Sequence, residues 1–176
     1  ECISKKTARA ALGLSNQKIV MYIGGFDQWK GITTFFEASN LRQDLHFVAI
    51  GGSDSQVAEF SQRYPRVNFL GQRPYRELAQ HQQAADILVI PNTLKNTLSA
   101  EFTSPLKLFA HMTSKVPLIV SDIPSLRAVL DDATANWFIP DSSKSLADTI
   151  EYVCNHYSES ERKANLAFNV SKEYSW

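Results

Sequence analysis

Short, uninterrupted apolar runs alternate along the chain with longer stretches of helical periodicity. Residues 18–23, 45–50, 67–70, 87–90 and 117–120 read as five buried strands, and 137–139 as a sixth, weaker one. Continuous hydrophobicity, rather than in-and-out alternation, marks strands that are covered on both faces. Between and after them, residues 31–39, 55–64, 75–85, 105–114, 125–130, 144–156 and 159–173 predict helices. This alternation specifies parallel strands joined by crossover helices. The expected fold class is therefore α/β, a doubly wound parallel sheet of about six strands with helices on both faces. The strands end at Gly24-Gly25, Gly51-Gly52, Gly71 and Pro91, where the backbone turns into loops at the carboxyl edge of the sheet. Ligands of open α/β sheets bind along that edge.

The 176 residues show no internal repeat, low-complexity tract or linker, so residues 1–176 are read as one domain. Eighteen Lys and Arg balance eighteen Asp and Glu. A neutral chain argues against a dedicated nucleic-acid surface or a polybasic membrane anchor. Apolar runs such as 87–91 and 116–120 fall far short of the roughly 20 residues that cross a bilayer. Cys2 and Cys154 are too few for a disulfide framework, and His46, His81 and His156 have no partner at metal-ligand spacing. The chain begins at Glu1 without a leader-like segment, and it is expected to be a piece of a longer protein.

Two segments carry chemistry. Residues 21–31, Met-Tyr-Ile-Gly-Gly-Phe-Asp-Gln-Trp-Lys-Gly, form a strand, a diglycine exit and a lysine entering a helix. An ammonium group beside a helix N-terminus suits a phosphate; the alternative for Lys30 is a solvated lysine in a βα loop. The order Lys30-Gly31 is not a Walker A motif, and G-x-G-x-x-G is absent, which disfavours a dinucleotide oxidoreductase. In residues 101–112, Thr103 or Ser104 is a natural N-cap and Pro105 a natural first helical residue. That helix start is a second anion site. Lys107 in its first turn opposes the helix dipole, which fits either a nearby anionic ligand or a plain surface lysine. Asp86 reads as a loop cap and Asp122 as a cap for the helix that starts near Pro124. Phe35, Phe36, Phe47, Phe69, Phe109 and Phe138 read as core.

Taken together, Tyr-Ile-Gly-Gly-Phe-Asp-Gln-Trp-Lys-Gly at 22–31, Ile-Gly-Gly at 50–52, Val-Asn-Phe-Leu-Gly at 67–71, Ala-Asp-Ile-Leu-Val-Ile-Pro at 85–91, Thr-Ser-Pro-Leu-Lys-Leu-Phe at 103–109 and Pro-Leu-Ile-Val-Ser-Asp-Ile-Pro-Ser-Leu-Arg at 117–127 form an ordered series. In order and spacing, the chain resembles the carboxyl-terminal, donor-binding domain of a GT-B glycosyltransferase of family 4, or group 1, down to Tyr174-Ser-Trp176, where members continue into a helix returning to the other domain. The resemblance implies a Rossmann-like domain whose acceptor-binding partner domain is absent here. It also implies retaining transfer of a hexose or N-acetylhexosamine from a nucleoside diphosphate sugar, most often a UDP-sugar, to a glycan or lipid-linked acceptor.

The implied site runs through residues at matching positions. Gly24, Gly25 and Lys30 face the diphosphate, with Gly25 where members often carry an arginine. Gly71, Gln72 and Arg73 belong to the loop whose backbone reads the base. Thr103, Ser104 and Leu106 wrap the distal phosphate and sugar, with Lys107 and Arg73 as further cations. Lys30 and Glu101 are the catalytic candidates, and metal-independent chemistry is implied. The paired-acid pattern would place carboxylates at 102 and 110, where this sequence has Phe102 and Ala110. Alanine accepts no hydrogen bond, so a charge-assisted ribose contact of roughly 1.5–3 kcal/mol is missing. Glu101 either reaches the sugar through a shifted loop or is a solvated loop carboxylate. His111 either takes over the ribose contact or, about 100° around the helix from Ala110, points away. A polysaccharide or O-antigen pathway at the cytosolic face of the membrane is the implied context. A non-catalytic nucleotide-binding module, degenerate at the acid pattern, is the competing class.

Overall fold

A computed structural model describes residues 3–101 and 105–174 of the protein. Among the described residues, strands β1 (Ile19–Ile23), β2 (His46–Ile50), β3 (Val67–Phe69), β4 (Ile87–Ile90), β5 (Leu118–Ser121) and β6 (Asn136–Phe138) form one sheet. It is wholly parallel, in the order β3-β2-β1-β4-β5-β6. Strand order reverses between β1 and β4, and this switch point opens a crevice at the carboxyl edge. Helices α1 (Lys5–Ala11), α4 (Tyr75–Gln82), α6 (Pro105–Thr113), α7 (Pro124–Arg127) and α9 (Tyr157–Glu173) contribute to one face of the sheet. Helices α2 (Ile32–Leu41), α3 (Asp54–Arg63) and α8 (Ser143–Asn155) contribute to the other. A short helix, α5 (Thr97–Glu101), follows β4.

The pleat sorts the two cores. Ile19, Met21 and Ile23 face an aliphatic layer with Leu88, Leu108, Met112 and Leu118, whereas Val20 and Tyr22 face a layer rich in rings. In that second layer Phe36 packs 5.1 Å from both Phe60 and Phe69, and Phe35 lies 5.3 Å from Phe47, all tilted or edge-on. Phe109 is only partly buried, with its ring 4.7 Å from that of Tyr174.

Several elements depart from the sequence expectations. Helices α1 and α5 were not foreseen: both are short, and α5 has no apolar stripe to announce it. The helix expected over 125–130 is the single turn α7, and α9 begins two residues early, directly after α8. Lys30 does not enter α2. It ends a 3-10 turn, Gln28–Lys30, and Gly31 at φ 67° redirects the chain into the helix. Asp122 caps nothing at α7; its carboxylate is bound by the Arg127 guanidinium at 2.7 and 2.9 Å.

Asp86 is more than a loop cap. Its carboxylate accepts from the Ile19 backbone N–H (2.7 Å), Arg9 (2.6 Å) and Lys5 (2.7 Å), joining α1 to the amino ends of β1 and β4. Arg9 is buried, so removing its carboxylate leaves an uncompensated charge and an orphan N–H. Asp86→Ala is expected to lower stability by about 3 kcal/mol, measured as the urea unfolding midpoint at constant slope.

Candidate functional site

The carboxyl edge is assembled by backbone meeting backbone. Gly24 N–H donates to the Ile50 carbonyl (2.9 Å), and Gly51 N–H to the Gly71 carbonyl (2.8 Å), so the loops after β1, β2 and β3 are stacked. A Cβ at Gly31 would collide with the Pro91 carbonyl, and one at Gly51 with the Gly24 carbonyl. Glycine is required at both places for closeness as well as for positive φ. The buried Phe26 ring pins the β1 loop from below, edge-on to Phe36, Phe60 and Phe69.

Two ammonium groups converge on the diglycine exit. A Cβ at Gly25 would lie 2.7 Å from Lys30 Nζ, and one at Gly24 would lie 2.8 Å from Lys107 Nζ. Their surroundings differ. Lys30 Nζ is paired with Asp27 at 2.6 Å and lies 4.9 Å from the Trp29 ring centroid. Lys107 is partly buried, and its Nζ stands 4.0 Å over the Tyr22 ring. The Tyr22 hydroxyl donates to the Gly25 carbonyl at 2.7 Å, and burial, with Asp27 nearby, raises its pKa far above the phenol range. No carboxylate pairs with Lys107 among the described residues. Burial, together with the Lys30 charge, lowers its pKa to about 7.

Beside Lys107 lies a cavity of about 700 Å³, between α4 and α6 and floored by Ile23 at the end of β1. Such a volume is in the range of small-molecule sites. Helix α6 contributes Lys107, Ala110, His111 and Thr113, and α4 contributes Tyr75, Leu78, Ala79 and Gln82. His111 does not point away. It shares the cavity with Ala110, because a cleft this wide takes in the i, i+3 and i+4 positions that start at Lys107. Its Nδ1 lies 3.0 Å from Gln82 Nε2, and burial, with Lys107 adjacent, lowers its pKa to about 3, so the ring is neutral.

Of the other expected site residues, Gly71, Gln72 and Arg73 form the connection to α4; the latter two are exposed, and none of the three lines the cavity. Glu101 is exposed at the end of α5, also off the cavity wall. Pro105 begins α6 as expected and Leu106 follows in its first turn, whereas Thr103, Ser104 and the missing-acid position Phe102 lie outside the described residues. Tyr75, Leu78 and Gln82 were not singled out from sequence. Their signal was present: 75, 78, 79 and 82 make a helical stripe that ends in a polar residue, which belongs to a cavity rather than to a core.

The strand order, with helices on both faces, defines a Rossmann-like α/β domain of the kind found in GT-B glycosyltransferases. The family model of glycosyl transferases group 1 matches residues 17–156, and the chain belongs to that family. No curated protein matches it. Among solved structures, it is similar to sucrose-phosphate synthase from Thermosynechococcus elongatus at 25% identity and a TM-score of 0.80, over 98% of this chain and 47% of that one. HepE of Anabaena, in complex with UDP and glucose, is 16% identical with a TM-score of 0.80, over 96% and 47%. The C-terminal domain of LpcC, a glycosyl transferase group 1 family protein from Francisella tularensis, is 17% identical with a TM-score of 0.79, over 97% and 92%. The chain spans about half the length of the first two.

The depressed Lys107 pKa has a definite sign in stability. Between pH 7 and about 10.5 the unfolded chain holds a proton at this lysine that the folded one has given up, so the folded state gains as pH rises through that window. Below pH 7 the full cost of the desolvated charge is present. Lys107→Met is therefore expected to raise the melting temperature at pH 6, with a gain that shrinks toward pH 10. Equal gains at both values would contradict this assignment.

Proposed function

We propose that this chain is the donor-binding part of a retaining glycosyltransferase that takes a hexose or N-acetylhexosamine from a nucleoside diphosphate sugar. The observation that carries this reading is the meeting of Lys30 and Lys107 at Gly24–Gly25, at the edge of a largely apolar cavity. A diphosphate suits the cations, and a nucleoside suits the cavity. In the reaction the bond between the anomeric carbon and the diphosphate oxygen breaks, and its electron pair passes to that oxygen. The acceptor hydroxyl oxygen then joins the anomeric carbon with configuration kept, and its proton passes to the departing diphosphate oxygen. Lys30 and Lys107 meet the charge growing on the departing diphosphate, as preorganised electrostatic groups do, without a metal ion. Glu101, exposed ahead of α6, is assigned to the sugar end, together with Thr103, Ser104 and Leu106.

Uridine is the proposed base, by analogy with the UDP complex of HepE. The proposed acceptor is a glycan or lipid-linked sugar of a polysaccharide or O-antigen pathway, handled by a second domain at the cytosolic membrane face. No helix among the described residues is long and apolar enough to cross a membrane. On its own the domain would bind donor and transfer sugar very poorly. One observation favours a second, non-catalytic reading: no carboxylate lines the cavity among the described residues. Transfer by the full-length protein over a panel of sugar donors separates the two.

Calorimetry with UDP, GDP and ADP tests the donor site, and binding of none of them at millimolar concentration would remove it. Lys30→Ala is expected to weaken UDP binding about tenfold or more, the weight of one charge-assisted contact, while changing uridine binding little. Affinity for UDP should also fall as pH rises above 7, because the anion favours the protonated form of Lys107.

A further inference from the structure

We infer that a second hollow, the groove beside Trp29, binds an uncharged saccharide chain and holds the acceptor glycan behind its reacting end; the acceptor role rests on the donor reading above. The groove measures about 880 Å³, within the range of small-molecule sites, and shares no lining residue with the cavity beside Lys107. It is enclosed by the 3-10 turn Gln28–Lys30, the first two turns of α2 and of α3, and the segment after β4. Two observations point to a ligand. Thr34 lines the groove at 6% exposure, yet its hydroxyl has no partner among the described residues. Unlike His111 Nε2, that oxygen is not sealed from its surroundings, so the groove is where a partner reaches it. Trp29, 40% exposed in the same groove, offers an apolar ring face with a polar N–H at its edge.

A sugar ring carries hydroxyls around its rim and C–H groups on its faces, and the groove answers both. Around Trp29 stand Gln28, Thr33, Thr34 and Asn96, whose hydroxyls and amides donate and accept alike. Charge turns phosphates away. Asp27 is neutralised by Lys30, and the remaining carboxylates, Glu37, Glu59 and Asp141, outnumber Lys95. A basic peptide is less suited than a polyol, because Asp141 is already engaged: it accepts from the Thr93 hydroxyl (2.5 Å) and the Leu94 N–H (3.1 Å). Those bonds fix the segment after β4, and the Gln56 amide ties α3 to the Phe26 carbonyl (3.4 Å), so the walls are in place before a ligand arrives. Trp29 adjoins Lys30, the cation assigned to the diphosphate, with its ring centroid 4.9 Å from Lys30 Nζ. A chain lying on Trp29 therefore starts one residue from where the donor phosphates would sit, which is where an acceptor must end.

The test titrates the chain with maltotetraose, cellotetraose, chitotetraose and mannotetraose at millimolar concentration, by calorimetry and by amide NMR, with UDP and trilysine in parallel. At least one saccharide should bind and shift the amides of residues 28–37 and 93–96. Thr34→Val and Trp29→Ala should each weaken that binding about fivefold or more, the weight of one neutral hydrogen bond or one ring contact. Thr34→Val should leave UDP affinity unchanged, and saturating UDP should not displace the saccharide. If UDP binds and no saccharide does, the inference is overturned while the donor reading stands. Displacement by UDP, equal binding by both variants, or a preference for trilysine also overturns it. Saccharide binding at these amides without binding of any nucleotide keeps the groove and removes the donor reading, and the acceptor role with it.

Discussion

The site depends on backbone lying against backbone at the carboxyl edge, with no side chain between. The β1 loop is held against the exits of β2 and β4 at Gly51 and Gly31, places where any Cβ would strike a carbonyl oxygen. Phe26 locks the same loop to the aromatic layer beneath. A loop fixed on three sides can present Gly24 and Gly25 as a bare surface, and two lysines from distant parts of the chain reach it. Their convergence is a product of strand order: β1 is central, and the segment after β4 crosses back over its end.

Electrostatic cost is managed unequally between those lysines. Lys30 is neutralised locally by Asp27, three residues away, whereas Lys107 rests on the face of Tyr22 and sheds its proton near neutrality. The Tyr22 hydroxyl, by donating to Gly25, ties the support of one cation to the surface that both approach. A desolvated ammonium resting on a ring, with no paired carboxylate among the described residues, is costly to the isolated fold, and an arriving anion would lower that cost.

The strands were legible because a sheet covered on both faces needs unbroken apolar runs, and 18–23, 45–50 and 87–90 contain little else. Helix ends were less so: α1 and α5 are too short to show periodicity, and the turn before α2 depends on Gly31 leaving the ordinary backbone region. The diglycine exit and Lys30 stood out because a ligand-facing loop departs from core chemistry. Lys107 was ambiguous, since its surroundings are made by Tyr22 and Gly24, from the far earlier β1 and its loop. Gln82 and His111 were harder still. Each is an ordinary helix residue by itself, and their pairing across α4 and α6 exists only in three dimensions.

The Lys107 environment also has a consequence in covalent chemistry. An amine half free of its proton near pH 7 is a nucleophile under conditions where ordinary lysines are almost wholly protonated. The amine lies 4.0 Å over the Tyr22 ring and close beside Gly24. A nucleotide analogue carrying an aldehyde or activated ester in place of a phosphate would therefore find here a built-in point of attachment, and so a route to labelling this edge of the sheet selectively.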